Sequence, residues 1–195
     1  MIARFMCGAI FAACCATSVR AQNSIVHIVI ETRAGVIEAD LDSAHAPITV
    51  ANFLKYVDAK RYDGGRFHRT VTPENQPDNL VKIEVIQGGT ARVQGAPSWP
   101  AIELERTNLT KITHRDGVLS MARGAGANTA SSDFFITIGP QHELDFGGKR
   151  NADGQGFAAF GRVTKGADVV RTIQKSTAKL QNLDPPVDIV SIKRR

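Results

Sequence analysis

Apolar and polar residues alternate from Ile25 to Thr32, pause at Arg33–Gly35, and alternate back from Val36 to Leu41. A period of two with β-branched residues fits strands with one buried face, so these segments predict a hairpin. The period then changes. Val50, Phe53, Leu54 and Val57 fall at i, i+3, i+4 and i+7 behind Pro47, where a missing N–H costs a helix nothing. A helix of about fourteen residues follows, closed by Lys60 and Arg61 at the end that the helix dipole leaves negative. After the turn at Tyr62–Gly65, strands are expected at Arg66–Val71, Val81–Ile86, Val118–Ala122, Phe134–Ile138, Phe157–Val163 and Val187–Ile192. A second helix is expected over Ala167–Lys175, with Val170 and Ile173 as its core contacts. A polar insert, Thr72–Asn79, reads as a solvated excursion beside the third strand. Glycine-rich loops occupy Arg123–Ser132 and Gly139–Gly156. Seven or eight short strands with two helices predict a mainly β fold, a closed or nearly closed antiparallel barrel.

The chain has 195 residues, 22% charged and 43% hydrophobic, enough for one domain with its own core. Its net charge of +5 and its three cysteines invite polyanion or thiol chemistry, but their placement argues against both. Cys7, Cys14 and Cys15 all lie in a short apolar run, Phe5–Val19, behind Arg4 and ahead of Val19-Arg20-Ala21. This pattern reads as a secretory signal over residues 1–21, cut after Ala21, with export to the periplasm or medium. Lipoprotein anchoring at Cys14 is the alternative, although Phe11 fits poorly three places upstream. Cleavage after Ala21 would leave a domain over 22–195 without cysteine, with 22 basic against 19 acidic residues, a net +3. The bases are interleaved with acids and no aromatics alternate with them, so no nucleic-acid partner is expected. Nor is membrane insertion expected once the signal is removed.

Nucleophilic and metal chemistry find no constellation. There is no Gly-x-Ser-x-Gly elbow, and the histidines are too widely spaced for a His-x-x-x-His pair. Asn151–Gly154 resembles a fragment of a calcium loop but lacks the acids that complete one. No metal or cofactor is called for. The remaining pattern is a succession of strand-end segments: Phe67-His68-Arg69, Ile86-Gln87-Gly88-Gly89, Ser120-Met121-Ala122-Arg123, Ser132-Asp133-Phe134-Phe135-Ile136 and Phe160-Gly161-Arg162-Val163. On an antiparallel barrel these can converge, placing an apolar floor (Phe135, Val85) beside one guanidinium (Arg69) and one amide (Gln87). Such a pocket suits a reaction that breaks no covalent bond.

In that order, with Ile30-Glu31-Thr32 and Ala46–Phe53 ahead of them, these segments resemble the cyclophilin family of peptidyl-prolyl cis–trans isomerases over roughly Ile25–Ile192. The resemblance implies an eight-stranded antiparallel barrel capped by two helices and proline-containing polypeptides as substrates. It implies catalytic roles for Arg69, Gln87 and Phe135. Substrate contacts are implied for His68, Val85, Ala122, Arg123, Asp133, Leu144 and Phe157, with Ala122 and Arg123 offering backbone groups. Phe67 and Phe134 alternate away from the site and are expected in the core. The chain departs from the family pattern at Glu84-Val85, Asp133, Glu143 and Phe157, which predicts a smaller, more acidic rim. Asp133 is expected to pair with Arg69, and Glu143, standing where an indole is common, predicts weak cyclosporin binding. A monomer is expected. A non-catalytic proline-peptide binding module or chaperone on the same barrel is the rival function.

Overall fold

A computed structural model describes residues 24–91 and 99–195. The expected signal segment, its cleavage after Ala21 and the alternative anchor at Cys14 lie outside the described residues. Strands β1 (Ile25–Thr32) and β2 (Gly35–Asp42) form the expected hairpin, in register from Ile25 opposite Asp42 to Thr32 opposite Gly35. The turn needs its glycine: Gly35 has φ +136°, and a Cβ there would sit 2.8 Å from Val169. Alternation buries Ile28, Ile30, Ile37, Ala39 and Leu41 on one face.

Helix α1 (Pro47–Asp58) is two residues shorter than expected and buries the anticipated Val50, Phe53, Leu54 and Val57. It has no local side-chain cap. Instead the Glu105 carboxylate, far along the chain, accepts the N–H groups of Ile48 (3.0 Å) and Thr49 (2.7 Å). An anion there satisfies two orphan donors and complements the helix dipole.

The remaining strands are β3 (Arg66–Val71), β4 (Val85–Gly89), β5 (Val118–Met121), β6 (Phe134–Thr137), β7 (Ala158–Lys165), β8 (Ala178–Lys179) and β9 (Asn182–Arg194). Their order is β1-β2-β7-β5-β6-β4-β3-β9, and β9 pairs back onto β1. That closes an eight-stranded antiparallel barrel, with the two-residue β8 hung on β9. Closure leaves these eight strands no open edge. Inside, Phe53 packs edge-on to Phe134 at 5.4 Å and tilted against Phe160 at 5.2 Å, and Phe67 meets Phe134 at 5.8 Å. Helix α3 (Ala167–Gln174) lays Val170 and Ile173 into the core as expected.

Three features differ from the sequence expectation. A four-residue helix α2 (Thr107–Thr110) makes three helices rather than two, and a 3-10 turn covers His142–Leu144. The alternation at Val81–Ile86 becomes a strand only from Val85, because Gln76 takes the backbone bonds of Ile83. Gln76 Nε2 donates to the Ile83 carbonyl at 2.8 Å, and the Ile83 N–H donates to Gln76 Oε1 at 3.3 Å. The Thr72–Asn79 insert keeps Glu74 and Pro77–Asn79 exposed, as expected of a solvated excursion, but it is tied to the barrel at one point by Gln76, which is 1% exposed.

Candidate active site

Regular alternation would put Arg69 on the same face as Phe67, inside the barrel. The register shifts between them: Phe67 lies opposite Gly88, and Arg69 opposite the adjacent Gln87. This bulge absorbs His68 and turns Arg69 to the outer face, while Thr70, opposite Ile86, returns inward. Gln87 in turn lies opposite Phe135, and Phe135 opposite Ser120. Arg69, Gln87 and Phe135 therefore form one row across three adjacent strands.

Phe135 belongs to a small apolar cluster outside the main core, with Val71, Ile83, Val85 and Leu144 and, half-buried, Ala122 and Phe157. Phe157 meets Phe135 edge-on at 5.3 Å. His114 stacks on Phe135 at 5.9 Å and is fully buried between Asp145 Oδ1 (Nδ1, 2.7 Å) and Ser120 Oγ (Nε2, 2.9 Å). Burial alone would raise the Asp145 carboxyl, but hydrogen bonds from the His114 side chain and backbone outweigh it. They hold the carboxyl below its ordinary value. This buried His–Asp–Ser set fixes the ring that floors the pocket.

Over that floor lies a cavity of about 250 Å³ lined by Arg69, Ile83, Val85, Gln87, Ala122, Arg123, Phe135, Leu144, Arg150, Asn151 and Phe157. Eight of the ten site residues expected from the sequence thus line one cavity. His68 and Asp133 do not. They line a neighbouring pocket with Arg66, Gly89 and Thr90, where His68 Nε2 lies 3.7 Å from Asp133 Oδ2.

The guanidinium of Arg69 is clamped by two neutral amides. Nη1 donates to Gln87 Oε1 at 2.9 Å, and Nε and Nη2 donate to Gln181 Oε1 at 3.0 and 2.6 Å. Gln181 is itself held, its Nε2 donating to the Asn75 carbonyl at 3.1 Å. Burial pushes the Arg69 pKa below its ordinary value, yet arginine stays charged at neutral pH. Among the described residues no carboxylate pairs with it, so the expected Asp133–Arg69 pair does not form. The Asp133 carboxylate packs instead against Gly89, whose Cβ, if present, would lie 2.1 Å from Oδ1.

Two more expectations are corrected. The Ala122 N–H is already donated to the Asp133 carbonyl at 2.9 Å, so it is not on offer to a peptide. The rim is not acidic: Glu84 accepts from Gln174 Nε2 at 2.9 Å, and Glu143 from the Lys149 N–H at 2.7 Å. Neither lines the cavity, which carries three arginines and no carboxylate. The Arg123 side chain donates to the Gly156 carbonyl (2.8 Å) and Asp153 Oδ1 (2.8 Å) above the Phe157 ring, bonds that leave its backbone groups untouched. Sequence reasoning missed Gln181, Arg150 and His114. Gln181 stands 112 residues from Arg69, and no local spacing announces such a contact. Among the described residues, no three His, Cys, Asp or Glu side chains gather as metal ligands.

The model of the family described as cyclophilin type peptidyl-prolyl cis–trans isomerase/CLD matches residues 27–194. The chain is 32% identical over 173 residues to peptidyl-prolyl cis–trans isomerase A of Dickeya dadantii, covering 88% of this chain and 82% of that one. It is 34% identical over 168 residues to peptidyl-prolyl cis–trans isomerase cyp18 of Streptomyces antibioticus, covering 84% and 93%. In fold it is similar to a Cryptosporidium parvum cyclophilin-type isomerase, with a TM-score of 0.70 at 22% identity over 88% of this chain and 98% of that one. A second structure of that protein, in the presence of the dipeptide Ala-Pro, gives a TM-score of 0.67 over 87% of this chain and 98% of that one, again at 22% identity. A match to nearly all the described residues, with relatives above 30% identity on most of both chains, places this chain in the cyclophilin-type peptidyl-prolyl cis–trans isomerase family.

Proposed function

We propose that this chain accelerates rotation about X–Pro bonds in unfolded or extended polypeptides, with Arg69 stabilising the twisted transition state over the apolar floor. Amide resonance sets a barrier of about 18–20 kcal/mol, and uncatalysed exchange takes tens to hundreds of seconds. When the bond twists, conjugation is lost and the prolyl nitrogen regains a lone pair. A donor aimed at that nitrogen binds the twisted state better than the planar one. Raising a rate from about 0.01 to about 1,000 per second asks for about 7 kcal/mol. A preorganised cation, exclusion of water and a fixed proline ring are the sources available.

The observation that carries this reading is the clamp on Arg69. Two glutamine oxygens fix its direction without neutralising its charge, at the edge of a pocket floored by Phe135. A carboxylate in either place would have held the group equally well and damped its pull. The pattern of residues 1–21 supports export and work on exported clients. Glu143, whose carboxylate already accepts from the Lys149 N–H, supports weak cyclosporin binding.

A protease-coupled assay on a short Ala-Pro peptide tests the reading, with Arg69→Ala as the control. The wild type should accelerate cis-to-trans conversion, and the variant should lose about a hundredfold or more. Peptide binding without any acceleration in the wild type would make the chain a binding module instead.

A further inference from the structure

A second guanidinium in the cavity, Arg150, makes no hydrogen bond to Arg69 or to the two glutamines that hold it. It stands in the Gly147–Gly156 segment and is half-buried. Its Nη1 donates to Gln76 Oε1 at 2.9 Å and to the Val81 carbonyl at 2.7 Å, both neutral acceptors. Those bonds use the two hydrogens of Nη1. The three N–H groups on Nε and Nη2 meet no partner among the described residues. Arg69 likewise meets no carboxylate, while Arg123 in the same wall is neutralised by Asp153. The cavity thus holds two partly desolvated guanidiniums facing no anion. Burial, and then the charge of Arg69, lower the Arg150 pKa from its ordinary value. Buried charges of one sign are costly unless a counter-charge arrives, and planar guanidiniums recognise carboxylates through paired N–H donors.

Building on the isomerase reading, we infer that Arg150 makes this cavity a receptor for a carboxylate carried by the substrate next to its proline. Two sources present that chemistry: an acidic side chain adjacent to the proline, and the terminal carboxylate of a chain that ends in proline. Either brings a counter-charge to Arg150 while Arg69 stays free to act on the prolyl bond. The anchoring of Arg150 by Gln76 gives the insert at residues 72–79 a use, since it holds the recognition group against the pocket.

NMR titration of the intact protein with matched peptides tests this. One arm compares acetyl-Ala-Ala-Pro-Glu-amide with its Gln and Lys counterparts, and the other compares acetyl-Ala-Ala-Pro bearing a free carboxylate with its amide. In at least one arm the carboxylate form should bind about tenfold tighter than the neutral form, and the arm identifies the source. The preference should shrink as salt is raised through about 0.15 M, collapse in Arg150→Gln and persist in part in Arg150→Lys. The ratio of affinities is the readout, whatever happens to the absolute rate. Wild-type ratios within twofold of one in both arms overturn the inference without recourse to a variant, as does a preference that survives Arg150→Gln. Exchange cross-peaks in the same spectra report isomerisation separately. Their absence would refute the isomerase reading while the affinity ratio still decides this one.

Discussion

Replacing Gln181 with alanine removes both bonds from its amide oxygen to Arg69, at 3.0 and 2.6 Å, and leaves the guanidinium tethered to Gln87 alone. Hydrogen bonds to charged groups contribute about 1.5–3 kcal/mol each. Here both converge on one oxygen, and water can enter the half-buried site, so a loss near the lower end, about 1.5–2 kcal/mol, is expected. If the loss falls on the transition state, kcat/KM drops by about ten- to thirtyfold. Gln181 is a positioning residue, so the drop should appear in kcat with KM little changed. Gln181→Glu separates direction from charge. It keeps an acceptor and fixes Arg69 at least as firmly, but it neutralises the cation, so kcat should fall although thermal stability does not. Line-shape analysis on a blocked Ala-Pro peptide gives both parameters, with thermal unfolding as the structural control. Unchanged kcat in Gln181→Ala, or full activity in Gln181→Glu, would refute the reasoning.

Other parts of the structure make independent commitments. The Asp145 carboxyl is held below its ordinary value despite burial, chiefly by His114, so its contribution to stability is present above the unfolded carboxylate pKa and is lost as pH falls through the folded one. Thermal midpoints should therefore decline below about pH 4, with a shallower acid limb in Asp145→Asn; identical slopes would contradict this. Glu105→Ala uncaps α1 and should cost about 1 kcal/mol in chemical unfolding with kcat/KM unchanged, because neither Glu105 nor α1 lines the cavity. Calorimetric titration should find cyclosporin binding weaker than sub-micromolar and tightened about tenfold or more in Glu143→Trp, which restores an indole donor. Sub-micromolar affinity in the wild type would contradict it.

Much of the architecture is legible because it is local. The alternation of Ile28, Ile30, Ile37, Ala39 and Leu41 and the helical spacing of Val50, Phe53, Leu54 and Val57 report burial directly. Arg69, Gln87 and Phe135 are legible as words of a family, and the structure brings them into one cross-strand row. Alternation misleads where something interrupts the ladder. The bulge at His68 reverses the face of Arg69, and the side chain of Gln76 substitutes for a strand partner at Ile83. The electrostatics were least legible. Asp133, Glu84 and Glu143 promised an acidic rim, yet each is drawn to a partner elsewhere, whereas Arg150 enters from a glycine-rich loop with no periodicity to announce it. Side-chain direction in loops is set by distant acceptors, and a one-dimensional pattern does not carry it.

The central claim is that Arg69 favours the twisted prolyl bond over the planar one. Line-shape analysis of Arg69→Ala with a neutral Ala-Pro peptide measures both sides of it, giving the dissociation constant and the on-enzyme exchange rate from one sample. The account predicts an exchange rate lower by about a hundredfold or more, with affinity for the planar ground state kept within about threefold. An unchanged exchange rate, or a loss that resides entirely in affinity, would contradict it.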